Sequence, residues 1–188
     1  MAVLLQRDSN HKTITKFFNQ PIKNQTIMLD KNVAGLLNDQ INKEFYSAYL
    51  YLEMANYFEN RGLEGFAHWY EVQAKEECEH GMKIRNYLLD EEECVQLQTI
   101  NAPKEDFCCD MDVLRKALAH EEYVTESINK IASVAFELHD YRTMQFLDWF
   151  VEEQAEEEVN ARDMITKLSL YGEDAKGLYL LNHELGKR

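Results

Sequence analysis

Apolar side chains recur every three or four positions along four long stretches of this chain, the spacing of one buried helix face. The first stripe reads Val33, Leu37, Ile41, Ala48, Tyr51, Ala55 and Phe58, with Asp30 placed as its N-cap and Arg61-Gly62 as its stop. The second carries Phe66, Tyr70, Ile84 and Leu88 and fades into Asp90-Glu91-Glu92-Glu93. Asp110 is read as the cap of a third, which runs through Leu114, Ala117, Val124, Ile128, Ile131, Ala135 and Leu138. Asp140 caps the fourth, with Leu147, Phe150, Ala161, Met164 or Ile165, and Leu168, and Tyr171-Gly172 ends it. Each predicted helix has about 30 residues and is ~45 Å long. A shorter amphipathic piece, Gly177-Leu178-Tyr179-Leu180-Leu181, has more apolar surface than a tail needs and is expected to pack against the domain or a neighbouring subunit.

The connections fix the topology. The first and second helices are joined by a few residues, which makes them antiparallel neighbours. Residues 93–109 have no helical period and include Pro103. About 17 extended residues can reach ~55 Å, the full length of a helix, so this segment is expected to cross over and join two parallel helices. The expected fold is all-α: a four-helix bundle with a long crossover between its second and third helices, plus a short C-terminal helix. Residues 1–27 are polar, weakly basic and without sustained period, and are read as a mobile extension outside a domain spanning 28–188, with Met28 a candidate natural start.

Each stripe is interrupted near mid-helix by a group that does not belong in a core. Glu44 lies between Ile41 and Ala48, Glu77 and His80 between Gln73 and Ile84, Glu121 between Ala117 and Val124, and Gln154 with Glu157 between Phe150 and Ala161. The Glu77-x-x-His80 pair alone is weak evidence, because a chain this rich in Glu is expected to contain such a spacing by chance. One inward Glu is ordinarily mis-phased or paired with a buried cation. Four at one level, with no Lys or Arg on the stripes, are different. Unpaired buried carboxylates cost several kcal/mol each and take up protons rather than stay ionised. Two divalent cations would supply the missing positive charge. A carboxylate-rich set with imidazole suits iron or manganese, with zinc a competitor.

Composition narrows the partners. Only 7 Gly and 2 Pro among 188 residues favour helices over a turn-rich sheet protein. The net charge is −14, and residues 1–27 hold four of the basic residues (Arg7, Lys12, Lys16, Lys23), so the remainder is more acidic still. Such a surface repels nucleic acid and anionic membrane and attracts cations. Cys78, Cys94, Cys108 and Cys109 form no Cys-x-x-Cys pair, so a zinc ribbon has no support and reduced thiols are expected. Met1-Ala2-Val3-Leu4-Leu5 is too short for a signal-peptide core, and no window approaches ~20 apolar residues. The expectation is a cytoplasmic protein with no membrane or nucleic-acid partner.

These features resemble the ferritins, most closely the bacterial non-haem type, over about Met28 to Lys187. The most specific matches are Asn38-Asp39-Gln40-Ile41-Asn42-Lys43-Glu44 with Tyr51, then Glu76-Glu77-Cys78-Glu79-His80, then Trp149 with Glu153-Gln154-Ala155-Glu156-Glu157-Glu158. Lys167-Leu168-Ser169-Leu170 and Gly177-Leu178-Tyr179 match at the C-terminal end. The resemblance implies that Glu44 and His80 hold iron at a first site, Glu77 bridges, and Glu121 and Glu157 hold the second iron with Gln154 nearby. It further implies an adjacent third site from Glu76, Glu153 and Glu156, sharing Glu157. Residues 153, 156 and 157 are i, i+3 and i+4 on one helix face, which agrees. Tyr51 matches the family's tyrosine beside the centre, and Trp149 is read as packing.

The chain departs from the haem-containing relatives in two places. Glu157 is followed three positions later by Asn160, not His, and Cys78 stands where those proteins carry a haem-ligating Met, so no haem is expected. What the resemblance implies for function is an iron-storing ferroxidase that uses O₂ (or H₂O₂) and assembles with itself into a hollow 24-subunit shell. Three alternatives compete with this reading: a non-catalytic shell subunit, a di-iron oxygenase or peroxidase, and a DNA-protecting mini-ferritin. The complete ligand set counts against the first and its location within one chain against the last; particle size separates the second.

Overall fold

A computed structural model of the chain describes residues 28–104 and 106–188, which form five α-helices and, among the described residues, no strand. The reading of residues 1–27 as an extension lies outside the described residues. We label the helices α1 (Lys31–Asn60), α2 (Glu64–Asp90), α3 (Asp110–Glu137), α4 (Tyr141–Tyr171) and α5 (Ala175–Leu185).

Local chemistry sets the helix ends. The Asp30 carboxylate accepts from Asn32 N at 2.8 Å and caps α1, and Gly62 at φ +72° lets the chain leave it. Asp140 caps α4 by accepting from Thr143 N at 3.1 Å, and Asp174 caps α5 by accepting from Gly177 N at 2.8 Å. One cap differs from the sequence reading. The α3 N-cap is Cys109, with no side-chain cap bond, while Asp110 begins the first turn. Its carboxylate is drawn away by tertiary partners, accepting from Tyr57 Oη at 3.0 Å and Arg61 Nη2 at 3.1 Å.

Cross-links show how the rods run. Lys31 pairs with Glu93, Asn38 accepts from Gln96 N, Gln98 donates to Asp39, and Tyr57 packs on Phe107. Residues 91–104 and 106–109 therefore follow α1 from its beginning to its end. This is the crossover that the sequence predicts. On the other side, Tyr51 meets Glu121 while Gln40 meets Ser127, so α3 is antiparallel to α1 and parallel to α2. Only residues 138–140 separate α3 from α4, so α4 returns antiparallel to α3, and Gln154 on Glu121 and Thr125 on Glu158 tie the two together. The short α5 lies across the start of α2 and the end of α4, through Asn182 on Gly65 and Lys167 on Glu184. Leu181 and Leu185 are buried there, so the C-terminal piece packs on its own bundle.

The core is not continuous along the bundle. One apolar cluster holds Leu37, Ile41, Ile84, Leu88, Ile128 and Phe150; the other holds Tyr51, Phe58, Phe66, Leu114 and Met164. On every one of the four long helices the chain passes from one cluster to the other through the buried polar residues named above. Among the described residues no helix is long and apolar enough to cross a membrane.

Replacing Asp140 by Ala removes the α4 cap and is expected to cost about 1 kcal/mol, a fall of ~2–4 °C in thermal midpoint. Asp140→Asn, which can still accept from Thr143 N, is expected to stay close to the parent in the same melt.

Candidate metal centre

The layer between the two apolar clusters contains Glu44, Glu77, His80, Glu121, Gln154 and Glu157, all buried. The register of four rods sets this. Glu44 comes from α1, Glu77 and His80 from one face of α2, Glu121 from α3, and Gln154 and Glu157 from α4. Glu44, Glu77 and His80 form the tightest group, each offering a ligand atom within 4.8 Å of the others. His80 Nδ1 lies 3.5 Å from Glu77 Oε2. Trp149 meets the imidazole edge-on at 5.3 Å between ring centres, which is the packing role expected of it, and Lys83 stands over the outer face of that indole.

Glu121 and Glu157 are not in that tight triad but share its interior. Glu157 acts electrostatically on both Glu77 and Glu121, and Glu44 acts on Glu121. Glu121 is held by two donors: the hydroxyl of Tyr51, and the Gln154 amide, which reaches its Oε2 at 3.1 Å and its backbone carbonyl at 3.4 Å. Tyr51 is thus a fully buried phenol bonded to a carboxylate of the layer, with its ring stacked on Tyr70.

Two supporting residues were missed as partners by the sequence reading. Gln40 donates to Glu44 Oε1 at 2.9 Å, and Gln73 donates to Glu77 Oε1 at 3.3 Å. Each amide lies four residues before its carboxylate, one turn along the same face, and that spacing was visible in the sequence. Gln40 is in turn fixed by Ser127, whose hydroxyl donates to Gln40 Oε1 at 2.6 Å, and Lys43 donates to the same serine.

These donors leave the layer short of positive charge. Burial first, and then the Glu77 carboxylate, push Glu44 up to about 8, against the lowering effect of Gln40. Burial and Glu157 push Glu77 up to about 8, and the same pair of causes raises Glu121 to about 8. Glu157 is also held above its ordinary value by burial, although Gln73, Arg188 and His80 act the other way. Glu44 Oε2 is the one buried side-chain N or O among the described residues with no hydrogen-bond partner. An orphan carboxylate oxygen beside an imidazole and a second carboxylate is a candidate ligand atom, and oxygen–nitrogen donor chemistry fits a divalent cation of the iron type.

The residues predicted for a third site lie outside this layer. Glu76 and Glu153 share the wall of an open cleft of about 630 Å³ with His80 and Trp149. Glu156 is exposed on α4 and does not line that cleft. Glu76 also has a partner the sequence did not foretell, the guanidinium of Arg188, at 2.5 Å.

Gly81 follows His80 on α2 where α1 crosses closely. A Cβ there would stand 3.3 Å from the Phe45 ring and 3.4 Å from Glu44 Cβ, so the two rods nearly touch at the level of the carboxylates.

Four antiparallel and crossover-linked helices around a buried carboxylate–histidine layer define a four-helix-bundle protein with a candidate metal site in its core. The chain belongs to the ferritin family: the ferritin-like domain matches residues 34–171. It is 40% identical over 161 residues to a bacterial non-heme ferritin of Staphylococcus aureus, covering 86% of this chain and 97% of that protein. A probable bacterial non-heme ferritin-like protein of Haemophilus influenzae is likewise 40% identical, over 159 residues, 85% of this chain and 96% of that one. Among solved structures, an engineered closed form of Archaeoglobus fulgidus ferritin matches with TM-score 0.83 and 39% identity, over 85% of this chain and 98% of its own. The open-pore ferritin of the same archaeon gives 0.83 and 38%, over 86% and 98%. Membership of this family supports a role in iron storage.

Raised carboxyl values have a definite sign. Between the unfolded value of 4.5 and about 8 the folded metal-free protein holds more protons than the unfolded chain, so these groups lower stability as pH rises through that window. A cation must displace those protons. Zn²⁺ binding at pH 7 is therefore expected to release protons, and fewer as pH rises past about 8. Calorimetry in buffers of different ionisation enthalpy measures the count; binding without release at pH 7 would contradict the assignment.

Proposed function

We propose that the protein is an iron-storage ferritin that oxidises Fe²⁺ with O₂ at a two-iron centre inside each subunit and keeps the ferric product in a hollow shell of 24 copies. The single observation that carries this reading is the buried, cation-deficient layer, with Glu44 Oε2 left unpartnered beside Glu77 and His80.

Glu44 and His80 hold the first Fe²⁺, Glu77 bridges, and Glu121 with Glu157 holds the second. Gln154 and Tyr51 position Glu121 by donating to its oxygens. Two Fe²⁺ held side by side give up one electron each. One O₂ takes both electrons and two protons to the level of H₂O₂, and two Fe³⁺ remain. Hard anionic carboxylates bind Fe³⁺ more strongly than Fe²⁺ and so favour the forward direction. The second position has no histidine, which makes it the looser and more exchangeable of the two. Glu76, Glu153 and Glu156 supply an outer third position on the route out of the centre, and the cleft that joins Glu76 and Glu153 to His80 supports such a route. The remainder of the assignment is a domain over 28–188 with residues 1–27 as an extension, working in the cytoplasm.

Glu77→Ala and His80→Ala are each expected to slow initial Fe²⁺ oxidation by about 100-fold or more, since changing even the supporting partners of metal ligands costs about 10–100-fold. Both variants should still assemble to the parent particle size by size-exclusion chromatography with light scattering. An assembled Glu77→Ala protein that oxidises Fe²⁺ at the parent rate would sink the assignment.

A further inference from the structure

Arg188 lies far from the carboxylate layer in sequence and next to it in space. Three contacts carry α5 and the residues after it back to α2. Asn182 Oδ1 accepts from Gly65 N at 2.8 Å and Phe66 N at 3.2 Å, and His68 Nε2 is 3.2 Å from the Arg188 carbonyl oxygen. The guanidinium then lies along one face of α2. It stacks 4.1 Å from the centre of the Trp69 ring, donates from Nη1 to Gln73 Oε1 at 2.9 Å, and donates from Nη2 to Glu76 Oε2 at 2.5 Å. Residues 69, 73 and 76 are i, i+4 and i+7, so a planar cation on that face meets all three at once.

Two consequences follow from these bonds. The carboxylate of Glu76 already has a positive partner, so a metal ion that takes Glu76 must displace it. The Gln73 amide is also oriented: with Oε1 on the guanidinium, its NH₂ is the end turned toward the layer, where it donates to Glu77 Oε1 at 3.3 Å. Arg188 further acts electrostatically on Glu157, the carboxylate that the inner and outer positions share.

We propose that Arg188 is a tethered counter-ion of the outer position, a guanidinium that holds the place of a metal cation at Glu76 and yields it on loading. Its departure frees Glu76 for the ion and releases the Gln73 amide that orients Glu77, so filling outside is coupled to hydrogen bonding inside. This rests on the reading of Glu76, Glu153 and Glu156 as a third iron position. The step is ion exchange, one cation for another, with no change of oxidation state. The ion pair is only partly buried, with side-chain exposures of 20% for Arg188 and 37% for Glu76, which limits the effect to that of a near-surface pair.

The test is anaerobic calorimetric titration of the assembled, metal-free protein with Zn²⁺, repeated with Fe²⁺, on the parent, Arg188→Ala, Arg188→Lys, Glu76→Gln, Glu153→Gln and the Arg188→Ala/Glu76→Gln pair. Arg188→Ala is expected to tighten the weakest binding step ~5-fold, with Arg188→Lys in between, and to leave the two tighter steps within about twofold. Glu76→Gln is expected to abolish the weakest step, and adding Arg188→Ala to it should then change nothing. If Glu76→Gln removes that step but Arg188→Ala and Arg188→Lys leave it unchanged or weaken it, the counter-ion proposal is overturned while the third position stands. If neither Glu76→Gln nor Glu153→Gln alters any step, the third position itself is wrong and the proposal goes with it. Should Arg188→Ala fail to assemble, Arg188→Lys, which keeps the charge but loses the fork, decides on the same criterion.

Discussion

Like charges brought indoors repel one another and have lost the water that would screen them, and this bundle is arranged around that fact. Glu44, Glu77, Glu121 and Glu157 share one slice of the interior, each with little solvent exposure. Ionised and unpaired they would cost several kcal/mol each. The surrounding side chains supply amides and hydroxyls from Gln40, Gln73, Gln154 and Tyr51, which orient the oxygens but do not neutralise them. The remaining options are to hold protons, as the raised carboxyl values favour, or to hold cations on the same oxygens. The fold absorbs the cost by length. Helices of 27 to 31 residues leave a full apolar cluster on each side of the polar slice, so stability and site occupy different levels of the same rods.

The topology serves register. A short link would have made α3 antiparallel to α2, whereas the 91–109 segment carries the chain back along α1 and starts α3 beside the end of that helix. Each helix can then place its mid-point group at one height. Anchors spaced along the crossover, Lys31–Glu93, Asn38 with Gln96, and Tyr57 with Phe107 and Asp110, fix that height by hydrogen bonds and packing rather than by a metal.

Much of this was legible from residue order, because a 3.6-residue period reports which face is buried and a carboxylate on that face is conspicuous. Glu44, Glu77, His80, Glu121, Gln154 and Glu157 all fall in the buried layer for that reason. Gln40 and Gln73 were legible in principle, one turn before Glu44 and Glu77, but amides on an apolar stripe draw less notice than charges. The cap of α3 was misplaced by one residue because Asp110 is a good capping residue whose side chain is claimed by Tyr57 and Arg61, contacts that no local rule contains. Arg188 was out of reach for the same reason. Its bond to Glu76 joins residues 112 apart and depends on how α5 docks. Local order thus reports faces and periods, and tertiary docking decides which polar groups finally meet.

The near-contact of α1 and α2 at Gly81 gives the inner ligands a fixed gauge. With no side chain to hold the rods apart, the Phe45 ring and Glu44 Cβ come against α2 backbone one residue beyond His80. The opening between Glu44 and His80 is therefore set by carbon meeting carbon before any ion arrives. The distance between these two side chains thus follows from how tightly α1 packs on α2, a property of the helix pair and not of the polar layer.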